Sequence, residues 1–288
     1  MDNKKTKAEK AVNIGKFDES LKIAILVAEH FMSERSFYAR ICQKLMVELS
    51  AAGYIGQLEV ISHTNEKMCI LPQIISDGEA HQCVMIGEMR NDYIDALIKA
   101  GQKLIFIDYV NEEYEIDSIS GDNINGGYCL TRYLAEKGYR KIAFVGSFKA
   151  TRSILDRMMG YLKYLMAKDI EINNRWILPD RDSLGFLVDV IMPPDMPEAF
   201  VCNCDETAYR LIANLNRYGY KVPENVAVTG YDDYAERIPE GIELTTWHVN
   251  VEEMVRQCVY IIKQRTKDPS YRHGSVVVNG RLVERKSC

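Results

Sequence analysis

The chain has 288 residues, 47% of them hydrophobic and 27% charged, with a formal net charge of −5 at pH 7. That length can bury one large core or two medium ones, and the composition is ordinary for a soluble globular protein. An acidic chain cannot hold nucleic acid through its overall field, so any DNA contact must come from a local patch or from a part outside this chain.

No apolar run approaches the ~18–20 residues of a membrane span. Residues 1–20 are polar and Lys-rich, with neither an apolar core segment nor a small-residue cleavage site, so no secretory signal is expected. Most of the eight Cys sit inside apolar runs such as Gln82-Cys83-Val84-Met85-Ile86, the setting of reduced, buried thiols. Cys202 and Cys204 stand two apart on an expected strand and would face opposite ways. No cysteine or histidine spacing matches a metal site, and a reduced, cytoplasmic setting is the simpler reading.

Taken in chain order, short apolar runs alternate with amphipathic segments. Lys22–Val27 reads as a buried parallel strand. Phe37, Ile41, Leu45 and Leu49 then recur every fourth residue along one helix face, which Gly53 ends. Strands are expected at Leu58–Ile61, Cys83–Ile86 and Leu104–Ile107, with helices near Met68–Ile75 and Tyr93–Ala100 between them. A helix from about Ile124 ends at Gly138, and the rhythm restarts. Lys141–Val145 is a strand, Ser153–Lys168 a helix, and Ala199–Cys202 a strand. A helix through Leu211 and Leu215 ends at Gly219, and Pro223 introduces the strand Val226–Thr229. A helix near Val251–Lys267 follows, and Ser275–Val278 and Arg281–Glu284 read as a hairpin turning at Asn279-Gly280. Strand–helix alternation of this kind builds parallel sheets with helices on both faces. Two series of about equal size predict an α/β protein of two similar lobes. Because ligands of open parallel sheets bind at the carboxyl ends of the strands, a ligand cleft is expected between the lobes.

Several stretches resemble one family. They are Asp122–Tyr128, Lys137–Gly146, the Arg157-Met158-Met159-Gly160-Tyr161 step, Pro197–Asp205, Gly219–Asp233, Leu244–Thr246 and the ending Leu282–Ser287. Together, in that order and spacing, they resemble the effector-binding region of lactose-repressor-type transcription regulators. The resemblance implies the type I periplasmic-binding-protein-like fold and a homodimer. It also implies an operator affinity set by a small molecule in the cleft, most simply a sugar or sugar derivative. Operator DNA would be touched only by a helix-turn-helix headpiece, for which residues 1–20 are too few; they read as a polar tail or linker remnant. Residues 21–138 with about 248–270 are expected to form the N-terminal lobe, and 139–247 with about 271–288 the C-terminal lobe.

The resemblance also implies cleft residues. Arg157 would offer its fork of donors to ligand hydroxyls or a carboxylate. Asp232, after a buried strand and Gly230, would accept from vicinal hydroxyls. Phe37 and Tyr38 would wall the cleft, with Tyr38 the better contact because Phe37 shares the face of Ile41. Asn125, Thr151 and Ser153 match cleft positions, though each could equally be a helix cap. Cys204 stands where sugar-responding members often carry Asn. Both Arg157 and Asp232 are expected to project into a wet cleft, so that truncation leaves melting nearly unchanged.

No glycine-rich phosphate loop, nucleophile elbow or metal spacing occurs, so no cofactor, no metal and no enzymatic role is expected. The expected function is the effector-binding and dimerisation core of a repressor. A solute-binding protein of an uptake system is the alternative, and an α/β enzyme acting on a sugar or nucleotide a remote one.

Overall fold

In the structure, a computed structural model, residues 21–32, 37–234, 241–268 and 270–288 are described. The first series runs β1 (Lys22–Ala28), α1 (Glu29–Met32), α2 (Phe37–Ala51), β2 (Ile55–Ile61), α3 (His63–Lys67), α4 (Gln73–Ser76), β3 (Ala80–Ile86), α5 (Asn91–Lys99), β4 (Leu104–Ile107), β5 (Asp117–Gly121) and α6 (Asn123–Glu136). The second runs β6 (Ile142–Val145), α7 (Arg152–Ala167), β7 (Ile177–Leu178), β8 (Ala199–Cys202), α8 (Asp205–Arg217), β9 (Ala227–Asp232) and β10 (Thr245–His248). The chain closes with α9 (Val251–Lys267), β11 (Ser275–Val278) and β12 (Arg281–Val283).

Two six-stranded sheets form, in the orders β11-β5-β4-β3-β1-β2 and β12-β10-β9-β8-β6-β7. Every pairing is parallel except β10 with β12. Two parallel-dominated sheets with helices are thus the periplasmic-binding-protein-like fold expected. Side chains alternate across a strand, and the second sheet uses both faces. Ile142 and Phe144 of β6 and Val201 of β8 join the core with Leu130 and Leu134 of α6 and Tyr161 of α7. Ala143, Val145, Phe200 and Cys202 point the other way, onto Leu211, Ile212 and Leu215 of α8. In the first lobe the apolar stripe of α2 and the buried face of α9 share one core with β1, β3 and β4.

The chain passes between the sheets three times, after β5, after β10 and after β11. Helix α6 packs on α7 and the second sheet, while β11 closes the edge of the first beside β5. These placements shift the lobe boundaries expected from the sequence at residues 123–136 and 275–278. The expected hairpin at Asn279-Gly280 does not form, because β11 and β12 complete the open edges of different sheets. The helix expected near Met68–Ile75 is two short helices instead. Pro72 stands between them as the residue before α4; it has no N–H to give and disfavours helical backbone at Leu71.

Two contacts fix the pieces that carry the cleft. Asp117 on β5 is fully buried and accepts from Arg265 Nε at 2.6 Å, Tyr271 Oη at 2.8 Å and the Gly274 amide at 2.8 Å. It thereby ties α9 and the approach to β11 onto the first sheet. The helices α6 and α7 touch backbone to backbone: a Cβ on Gly127 would run into the Arg157 carbonyl, and one on Gly160 into the Ile124 carbonyl. Adding a methyl at either site must push the helices apart, and overpacking of this kind costs about 1–3 kcal/mol. Gly160→Ala should therefore lower the unfolding free energy, read from urea melts, by that amount. Gly138→Ala, where a Cβ meets nothing within 4 Å, controls for loss of a glycine alone, its cost being confined to the left-handed backbone there.

Candidate functional site

A small cavity of about 30 Å³ lies between the lobes at the carboxyl ends of the strands. Two aspartates mark its opposite sides. Asp108 follows β4 and Asp232 ends β9, and both strands stand third in their sheets. Both residues adopt positive φ, 56° and 102°, a backbone region that costs most side chains and turns these carboxylates off the strand direction. Asp108 accepts from Tyr38 Oη at 3.0 Å. Burial pushes the Asp108 carboxyl up, against the opposing pull of Arg157 and the Tyr38 hydrogen bond. Burial, then the charge of Asp108, raises Tyr38 in turn.

Arg157 sits between these groups on α7. Its Nε donates to Asn123 Oδ1 at 2.9 Å, and Nη1 donates to the Asn203 carbonyl at 2.6 Å. Nη1 also lies 3.7 Å from Asp232 Oδ1, and the guanidinium carbon lies 3.8 Å from the centre of the Tyr231 ring. Burial works against the charge, but Asp232, Tyr231 and Asp108 outweigh it and hold the guanidinium above its ordinary pKa. The side chain is a compensated cation, stacked on one face and hydrogen-bonded at its edge.

The remaining expected residues divide. Phe37 and Tyr38 both line the cavity: Phe37 also packs in the first-lobe core, and Tyr38 stacks on Phe31 at 4.3 Å between ring centres. Thr151 and Ser153 line it with their hydroxyls 3.0 Å apart, and Thr151 caps α7 by accepting from the Ile154 amide. Cys204 lines it as the residue capping α8, and burial pushes its thiol up to about 12. Asn125 is not brought in. It lies exposed on the first turn of α6, outside the cavity, its amide donating to Asp122. Asn123, two residues earlier, is the one that reaches Arg157.

Sequence reasoning missed Asp108, Phe31, Glu206 and Tyr234, all of which line the cavity; Arg181, in the segment that reads from the sequence as a solvated loop, lines it too. Asp108 carried a usable signal, since Ile107-Asp108-Tyr109 ends a buried strand much as Tyr231-Asp232 does. Asp233, beside Asp232, turns away from the cavity to His248 Nδ1 at 3.0 Å and Arg285 Nη2 at 2.6 Å.

The expectation that Arg157 and Asp232 can be truncated without cost is overturned. They are 5% and 6% exposed, so either truncation strands a buried charge. Arg157→Ala should lower the unfolding free energy by about 3–5 kcal/mol, the scale for breaking a buried pair. Thr151→Ala, which removes one helix cap, should cost about 1 kcal/mol. Parallel urea melts followed by circular dichroism check both; equal losses would mean that the Arg157 network adds nothing.

Residues 131–288 match the family of periplasmic binding protein-like domains. The HTH-type transcriptional repressor PurR of Photobacterium profundum is 27% identical over 209 residues, which cover 71% of this chain and 63% of that repressor. The chain thus spans less than two thirds of the length of that relative. A solved complex of the transcriptional regulator CelR with cellobiose superposes with a TM-score of 0.77 at 22% identity, covering 93% of this chain and 84% of that one. A LacI family transcriptional regulator from Enterococcus faecium with bound ribose gives 0.76 at 20% identity, covering 92% and 98%. With the family match spanning more than half its length, the chain belongs to the periplasmic binding protein-like domain family.

Proposed function

We propose that this chain is the effector-binding and dimerisation core of a transcriptional repressor. A small molecule, sugar-like in its hydroxyl pattern, enters the inter-lobe cleft and alters operator binding by a headpiece outside the described residues. One observation carries this reading: Asp108 from the first lobe and Arg157 with Asp232 from the second converge on a single buried cavity. Carboxylates that accept and a guanidinium that donates suit a polyol, and aromatic rings at Tyr38, Phe31 and Tyr234 suit the apolar faces of a sugar ring. The cellobiose and ribose held by the two structural neighbours support the same ligand class. The repressor relatives support a regulatory role and a non-enzymatic one. A cavity of about 30 Å³ holds roughly one water, so the effector enters by a hinge motion that parts the lobes.

The homodimer belongs to the same proposal. Ile41 and Leu45, on the apolar face of α2, are fully buried in the core, and Met46 packs partly against it. Exposed apolar side chains lie instead at Val47 on α2, at Leu58 and Val60 on the edge strand β2, and at Met68 and Ile70 beyond α3. An edge strand with apolar exposure suits burial against a second copy.

A thermal-shift screen of sugars, sugar phosphates, nucleosides and bases tests the effector reading. A true effector at ~100 times its dissociation constant adds about 2.7 kcal/mol of stability, and Asp108→Asn should shrink that gain. A screen in which no solute raises the melting temperature would sink the reading. Sedimentation velocity at micromolar concentration should show a dimer, and Leu58→Glu with Val60→Glu should yield a folded monomer.

A further inference from the structure

Asn203 stands in the turn between β8 and α8, and it lines the cavity although it is fully buried. All but one of its polar groups are used inside the second lobe. Its amide N–H donates to the Val145 carbonyl at 2.8 Å, and its own carbonyl accepts from Arg157 Nη1 at 2.6 Å. The side-chain Nδ2 donates to the Val145 carbonyl at 3.0 Å and to Asp180 Oδ2 at 2.5 Å. The last group, Oδ1, is buried and accepts no hydrogen bond among the described residues.

Exchanging the two ends of the amide does not remove this orphan. Val145 and Asp180 both present acceptors, so the end that meets them has to be the NH2 group. On its other flank the Asn203 Cβ packs over Gly146, at a place that any added side chain would invade. Val145, Gly146 and Asp180 are all outside the cavity lining, so Nδ2 and Cβ face the lobe interior. With the backbone carbonyl taken by Arg157, Oδ1 is the group that Asn203 leaves to the cavity. A buried acceptor without a donor carries the whole cost of its desolvation, and folded proteins hold few of them. This one is also preorganised, because the bonds of Nδ2 fix the amide before anything binds.

Resting on the effector reading above, we propose that Asn203 is a specificity-determining residue of the cleft. Its Oδ1 receives a hydrogen from the effector once the lobes have parted to admit it. The effector therefore carries a donor, a hydroxyl or an N–H, at that point of its outline. An ether, a carbonyl or a bare carbon there is selected against, because it covers the oxygen and leaves it unpaired.

Calorimetric titration of glucose, galactose and ribose, each beside its deoxy and deoxyfluoro analogues, tests this. Fluorine fills the place of a hydroxyl but cannot donate. For the hydroxyl that meets Asn203, both analogues should bind about ten- to hundred-fold more weakly than the sugar itself. The carboxylates of the cleft can give the same pattern at other hydroxyls, so the assignment comes from the protein. In Asn203→Ala, checked for folding by circular dichroism, one such ratio should fall toward one while those at other ring positions persist. Thr207→Val removes a donor to Asp180 without touching Oδ1 and should leave every ratio in place. Ratios unchanged in Asn203→Ala, or lost alike in both variants, would overturn the assignment and leave the effector reading standing. If Asn203→Ala does not fold, the side-chain amide signals of Asn203 are followed by NMR in the unmodified chain. They should move with the sugar and not with the analogue that lacks the one hydroxyl; equal movement with every analogue would overturn the assignment. If no sugar binds, the same signals are followed against glycerol and against 1,2-dimethoxyethane, which accepts but cannot donate. A saturable shift with glycerol alone would uphold Asn203 as the acceptor while the sugar reading fails. No shift, or the same shift with both, would overturn it as well.

Discussion

The guanidinium of Arg157 has been taken out of water, and much of the second lobe is arranged so that it can stay there. A buried cation is tolerated only when its charge and donors are met. Here they are met by Asn123 at the start of α6, by the carbonyl of Asn203 after β8, and by Tyr231 and Asp232 at the end of β9. Three separate stretches of chain must therefore arrive together. They can do so only because α6 and α7 approach at Gly127 and Gly160 more closely than side chains would allow. The motif step from Arg157 to Gly160 thus serves packing and chemistry at once: the glycine lets the helix sit where the arginine is compensated.

The two lobes repeat one solution. In each, the third strand of the sheet leads to an aspartate with positive φ, Asp108 just after β4 and Asp232 as the last residue of β9, and both line one cavity with Arg157. Asp108 stays buried because a tyrosine hydroxyl and a cation from the opposite lobe both favour its charged form, while burial opposes it. Neither lobe holds the site alone.

Closure has its own contacts. Glu88 from the first lobe accepts from the first amide of α7, and Arg152 at that same helix end pairs with Glu112, again across the lobes. An anion at a helix N-terminus is favoured by the helix dipole, whereas the more exposed Arg152–Glu112 pair contributes little by itself. Because Thr151, Ser153 and Arg157 line the cavity from the same helix, any ligand that moves α7 works directly against these closing contacts. Under the proposed function, effector binding and lobe separation would act on one rigid element, a simple way to couple a small molecule to a change of shape.

The sequence by itself determined the alternation of strands and helices and the two-lobe α/β fold, and it singled out Arg157 and Asp232, which the structure buries 3.7 Å apart. Those features rest on local periodicity, on turn residues and on motif steps that lie close together in the chain. Only the tertiary structure decided which asparagine of α6 reaches the arginine. Asn123 and Asn125 differ by about 200° around a helix axis, and that phase depends on how α6 docks. The same holds for Asp108, whose partners Tyr38 and Arg157 lie 70 and 49 residues away in sequence, and for the strands β11 and β12. A tight dipeptide suggested that they pair with each other, but β11 completes the edge of one sheet beside β5 and β12 the edge of the other beside β10. Burial, too, was decided in three dimensions. Charged side chains at strand and helix ends read as solvent-facing in a linear sequence, and they leave water only when the second lobe and the crossing helices supply the partners that make it affordable.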